Sequence, residues 1–114
     1  MINLENNFLN GLSIGYWNVN GLFRKNENYC KMSDPLFLKQ IDKLDIIALS
    51  ETHCGDDDIV TLDGYNVEMS IRPKLSKARK HSGGLAILIK ANLQPGIKKI
   101  KSNAGNYIWI QLNK

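Results

Sequence analysis

Apolar residues along the chain fall into short runs, and only one stretch repeats them at helical spacing. Leu36, Phe37, Ile41 and Leu44 recur on one face of a 3.6-residue period. Ser33 or Asp34 can cap that segment and Pro35 suits its first turn, so the pattern predicts a helix over about 34–43. The other runs read as strands. Leu12 to Val19 is rich in β formers and closes at Asn20-Gly21, and Ile46 to Leu49 is continuously apolar, as a buried strand is. Tyr65 to Met69 follows a turn at Gly64. Leu85 to Ile89, after Ser82-Gly83-Gly84, is the strongest strand pattern, and Tyr107 to Leu112 is the last. Asn92 to Gly96 reads as a turn. Residues 26–33, the acidic stretch 54–62 and the basic stretch 72–81 read as loops, and residues 1–11 as a loose, Asn-rich leader.

The resulting order, β-α-β followed by three more strands, predicts an α/β fold: a mixed five-stranded sheet with one covering helix. The runs at 46–49 and 85–89 are apolar on both sides, so both sheet faces require cover, and one helix supplies only one. Two solutions are open, dimerisation or membership of a larger fold, and the position of the last strand favours the second. An apolar face left open predicts aggregation or dimerisation of the isolated chain.

Composition narrows the class only slightly. At 114 residues with 43% hydrophobic and 23% charged positions, the chain is one globular domain at most. A formal charge of +4 favours an anionic partner. Cys30 and Cys54 lack the spacing of a disulfide framework and read as free thiols of a reducing compartment. The first residues have neither the basic nor the apolar region of a secretory signal, and no apolar run approaches the roughly 18 residues of a membrane span. The expectation is an intracellular protein of nucleus or cytoplasm, not secreted and without a membrane partner.

Chemistry concentrates where two strands stop. Tyr16-Trp17-Asn18-Val19-Asn20-Gly21 ends in amides, and Ile46-Ile47-Ala48-Leu49-Ser50-Glu51 ends in a carboxylate. Side chains gathered at the carboxyl edge of parallel strands form a polar site, and one carboxylate flanked by amides suits a hydrated Mg²⁺.

The segments Trp17-Asn18-Val19-Asn20-Gly21-Leu22, Leu49-Ser50-Glu51-Thr52-His53 and Gly83-Gly84-Leu85-Ala86-Ile87-Leu88-Ile89, in that order and followed by Tyr107 to Leu112, resemble the endonuclease/exonuclease/phosphatase family. They are most similar to the apurinic-type endonuclease domain of non-LTR, LINE-like retrotransposons. The resemblance spans about residues 12–114 and implies a DNase I-like four-layer α/β sandwich, two sheets face to face with helices outside. It also implies that this chain holds the N-terminal half of the domain. A later Tyr, an Asp-x-Asn pair and a terminal Asp-His have no counterpart, so the fragment alone is expected to be inactive.

The resemblance assigns Glu51 to binding Mg²⁺ or Mn²⁺ and Asn18 to orienting phosphate and catalytic groups. Asn20 stands where the apurinic enzymes often carry aspartate, as a weaker metal ligand. Each has a plainer reading, Glu51 as a solvated carboxylate and Asn18 and Asn20 as turn residues. Arg72, Lys74, Lys77, Arg79 and Lys80 contain no acid among them and suit either DNA phosphate contacts or a solvated loop. His53 and His81 do not match the family histidine and read as structural or surface groups. A zinc site from Cys30, His53, Cys54 and His81 has irregular spacing, Asp56-Asp57-Asp58 reads as a solvated loop, and Trp17 and Trp109 read as core.

The implied partners are DNA, the C-terminal half of the domain and a reverse transcriptase domain on the same polypeptide. Two rivals remain open. One is another hydrolase of the superfamily, such as a phosphoinositide phosphatase or a sphingomyelinase. The other is a non-catalytic module that binds DNA or a partner.

Overall fold

The computed structural model describes residues 3–6, 11–24, 29–73, 82–104 and 107–112. Its centre is a five-stranded mixed sheet of β1 (Asn3–Asn6), β2 (Ser13–Asn18), β5 (Ile46–Ser50), β7 (Leu85–Lys90) and β6 (Tyr65–Ser70), in that spatial order. Strands β2 and β5 are parallel and the other pairs antiparallel. Parallel strands require a crossover, and here it contains the short pair β3 (Phe23–Arg24) and β4 (Tyr29–Cys30), a 3-10 turn at Lys31–Ser33 and helix α1 (Pro35–Ile41). A second 3-10 turn, Ala91–Gly96, leads into a hairpin of β8 (Ile97–Asn103) and β9 (Tyr107–Leu112).

Helix α1 starts as its sequence requires. The Asp34 carboxylate accepts the Leu36 backbone N–H at 2.8 Å, and Pro35 occupies the first turn, where its missing N–H costs nothing. Phe37 and Ile41 point into the sheet and are buried with Leu44. The face they cover is set by the period-2 alternation of the strands. Ile47, Leu49, Ala86 and Leu88 are buried on it, flanked by Trp17, Tyr65, Val67 and Met69. Trp17 stacks on Phe37 with ring centroids 4.6 Å apart, as its assignment to the core predicts. Each fully buried Leu or Ile here contributes about 1.5–3 kcal/mol.

The opposite face is graded. By register it carries three rows: Ile14, Ile46 and Ile89; Tyr16, Ala48 and Ile87; Asn18, Ser50 and Leu85. Ile46 and Ile89 are buried, but Tyr16 is 43% exposed and Ala48 and Ile87 are only partly covered. The β8–β9 hairpin packs back against β6 and β7. The expectation of an uncovered second face therefore holds for the middle row and fails for Ile46 and Ile89.

Several elements differ from the sequence reading. Asn3–Asn6, assigned to a loose leader, pairs antiparallel with β2 and supplies the fifth strand of the sheet. Tyr107–Leu112, expected in that sheet, pairs instead with β8, a strand the lysine-rich pattern does not announce. Trp109 is 66% exposed on this hairpin rather than in the core, because its neighbour across the pair is Lys101 and no described layer lies outside it.

At the end of the sheet away from the chemistry, Asp45 fastens three strands. Its backbone and carboxylate bond Ser13 at 2.8 and 2.9 Å, its carbonyl accepts the Lys90 N–H at 2.9 Å, and its carboxylate meets the Lys90 ammonium at 3.4 Å.

Candidate active site

Beyond the carboxyl ends of β2 and β5 the two chains continue side by side. Val19 N–H donates to Ser50 O at 3.0 Å, Gly21 N–H to Glu51 O at 2.7 Å and Leu22 N–H to Thr52 O at 3.0 Å. On the other flank Thr52 and His53 donate to Gly84 O and Gly83 O at 3.2 and 2.8 Å. Three loop segments, 18–22, 50–54 and 83–84, are thus laced into one polar edge.

The backbone of this edge is strained. Glu51 and His53 have φ of 54° and 55°, and Asn20 has 47°. Left-handed φ costs a residue with a Cβ about 1–2 kcal/mol, less for Asn, and such residues cluster at functional sites. The two glycines at 83 and 84 also have positive φ and meet close neighbours. A Cβ on Gly83 would stand 2.5 Å from the Arg72 guanidinium carbon, and one on Gly84 2.5 Å from Thr52 Oγ1.

Side chains at the edge occupy defined positions. Asn18 Oδ1 accepts the Asn20 N–H at 3.2 Å, an Asx turn, so its amide nitrogen is the end left to donate to a phosphate oxygen. Lys31 donates its ammonium to Val19 O beneath this turn. Burial, reinforced by the Arg24 charge, holds the Lys31 pKa below its ordinary value. Glu51 is partly exposed, and its Oε2 accepts from His53 Nε2 at 3.2 Å.

Of the residues singled out in the sequence, Asn18, Asn20 and Glu51 come together at this edge. Arg72 reaches it against Gly83. Lys74, Lys77, Arg79, Lys80 and His81 lie outside the described residues. His53, read as structural or surface, is partly buried and bonded to Glu51. Its two-residue spacing from Glu51 was the available signal, but the positive φ values at both residues are not visible in a sequence. Lys31 was missed altogether.

Cys30 and Cys54 are not joined in a disulfide. Asp56 and Asp57 are exposed, and Asp58 closes a turn with the Gly55 N–H at 2.8 Å, as expected of a solvated loop. Among the described residues no group of three or more His, Cys, Asp or Glu is placed to hold a metal, and no helix is long and apolar enough to cross a membrane.

The sequence profile of the Endonuclease/Exonuclease/phosphatase family matches residues 15–110. The chain belongs to that family. The mixed sheet with few helices is the DNase I-like α/β architecture, and the family is a superfamily of phosphodiester hydrolases whose members commonly use divalent metals. No curated protein matches the chain.

In this nuclease- and phosphatase-type family member, the donor set at the strand edge fits one side of a hydrated hard cation. Glu51 offers a half-exposed carboxylate, and Asn18 and Asn20, both exposed, lie on the turn whose following residue, Gly21, bonds the Glu51 carbonyl. Mg²⁺ takes one or two carboxylates and keeps waters or phosphate oxygens for the rest.

Proposed function

We propose that this chain carries the metal-binding edge of a LINE-like endonuclease domain that nicks DNA at retrotransposon target sites. The observation that supports the reading is the position of Glu51 at the carboxyl end of the parallel pair β2–β5, laced to the Asn18–Asn20 turn. Glu51, with Asn20, would hold Mg²⁺ or Mn²⁺, which would supply Lewis-acid polarisation of the phosphodiester and charge stabilisation of the leaving oxygen. Asn18 orients a phosphate oxygen through its amide nitrogen. Arg72, Lys74, Lys77, Arg79 and Lys80 draw the DNA backbone toward the edge.

The partly exposed row of Tyr16, Ala48 and Ile87 is where the second half of a four-layer sandwich would pack. The partners are DNA, that second half and a reverse transcriptase domain of the same polypeptide.

Conversion of supercoiled plasmid to the nicked form by the complete domain, with Mg²⁺, tests the reading. Loss of the cation term is worth several kcal/mol, so Glu51→Ala lowers nicking by about 100-fold or more. Hydrolysis of inositol phosphates with no plasmid nicking would replace DNA by a phosphatase substrate.

A non-catalytic module is the second reading, favoured by the amides at 18 and 20 where carboxylates bind metal better. It requires salt-sensitive DNA binding with no nicking, unaffected by Glu51→Ala.

A further inference from the structure

We propose that His53 is a positioning residue for the Glu51 carboxylate, holding one oxygen so that the other faces the cation. The proposal rests on Glu51 as the metal ligand. A carboxylate only accepts, so His53 Nε2 carries the proton of the 3.2 Å bond to Glu51 Oε2. Four features of the fold serve that one contact. Glu51 and His53 both adopt left-handed φ, which curls the chain past β5 and turns the two side chains toward each other. The His53 N–H is fixed on Gly83 O at 2.8 Å, and the Glu51 carbonyl is fixed by the Gly21 N–H at 2.7 Å. The ring lies over Gly21, where a Cβ would stand 3.2 Å from Nδ1. Gly21 thus leaves the space that the imidazole occupies, and a side chain there would push the ring off its line to Glu51.

The pair is also half-buried, His53 more than Glu51, with side-chain exposures of 25% and 43%. The histidine therefore reaches the carboxylate from the protein side and leaves the solvent side to the cation. A ligating carboxylate held by an outer partner binds metal more tightly, because its rotamer is chosen before the ion arrives.

Mn²⁺ binding to the full-length protein, followed by isothermal titration and by the electron paramagnetic resonance signal of free Mn²⁺, tests this without relying on turnover. Loss of an outer partner weakens metal by 10–100-fold, so His53→Ala raises the Mn²⁺ dissociation constant by about 10-fold or more. His53→Gln places an amide N–H near Nε2 and restores affinity to within about threefold. Gly21→Ala, which leaves the histidine in place, reproduces the His53→Ala loss. Thermal midpoints of His53→Ala and His53→Gln near wild type, and a Gly21→Ala midpoint lowered only by the left-handed φ of 90° at that position but still well above the titration temperature, separate positioning from unfolding. Wild-type affinity in His53→Ala, or no rescue by His53→Gln, overturns the proposal. Abolished binding in His53→Ala, equal to that of Glu51→Gln, overturns it too, since His53 would then be a ligand. Unchanged binding in Glu51→Gln overturns the assignment of Glu51 itself, a separate failure.

Discussion

The hydroxyl of Thr52 fills the space where a side chain on Gly84 would begin, with Oγ1 2.5 Å from that Cβ position. Thr52 is buried, and its amide donates to the Gly84 carbonyl at 3.2 Å. The contact joins the loop after β5 to the entry of β7, and so supports Glu51 from below. Gly84→Ala adds both a left-handed Cβ at φ 91° and an overlap with buried atoms. It is expected to destabilise the protein by about 2–4 kcal/mol. Gly64 has φ 83° but nothing within 4 Å of its Cβ position. Gly64→Ala is therefore expected to cost only about 1–2 kcal/mol. Urea unfolding of both variants measures the difference, and equal midpoints would refute the packing argument.

Helix α1 offers a second contrast. Ile41 is fully buried against the sheet, whereas Leu36 is 75% exposed. Ile41→Ala leaves a cavity and should cost about 2–5 kcal/mol, while Leu36→Ala should change stability by no more than about 0.5 kcal/mol. Denaturant titration with unchanged slope checks both.

Acid should weaken the crossover at Asp34. The Tyr29 hydroxyl and then the Leu36 N–H stabilise its carboxylate and hold its pKa below the ordinary 3.8. A carboxylate with a depressed folded-state pKa favours folding above its unfolded value, and that contribution disappears as pH falls through the folded value. Wild type should thus lose stability below about pH 4 more steeply than Asp34→Asn, which keeps a capping oxygen but has no carboxylate to titrate. Thermal unfolding from pH 6 downward, at constant ionic strength, is the measurement; parallel curves would exclude Asp34 as a source of the acid limb.

Salt dependence reports on the basic segment. If Lys74, Lys77, Arg79 and Lys80 contact DNA phosphates, the slope of log affinity against log salt falls by about 0.9 for each contact removed. Fluorescence anisotropy on a duplex across a salt series reads that slope. A slope unaltered by the fourfold Ala variant takes the segment out of the interface.

The legible parts of this protein are those in which neighbours along the chain make the decision. Asp34-Pro35 followed by Phe37 and Ile41 contains its own cap and its own apolar face, so α1 forms near where periodicity places it. Ile46–Ser50 and Leu85–Lys90 are apolar enough that only a buried strand accommodates them. Asn18, Asn20 and Glu51 stood out because they end such runs. Strand β8 was illegible for the opposite reason. Lys98, Lys99 and Lys101 give no alternation with a buried side, and the strand exists through its pairing with β9. Asn3–Asn6 likewise becomes a strand through its pairing with β2, a partner remote from any local pattern.

Residue order alone therefore determined helix α1, the strands of the apolar runs, and the amides and carboxylate that end two of them, because capping, periodicity and burial act over a few residues. The tertiary structure alone decided which strands share the central sheet, that Trp109 faces outward, and that His53 meets Glu51. Those outcomes depend on hydrogen bonds between segments remote in sequence and on left-handed backbone at Glu51 and His53, which their identities disfavour and only the surrounding lattice of Gly21, Gly83 and Gly84 holds in place.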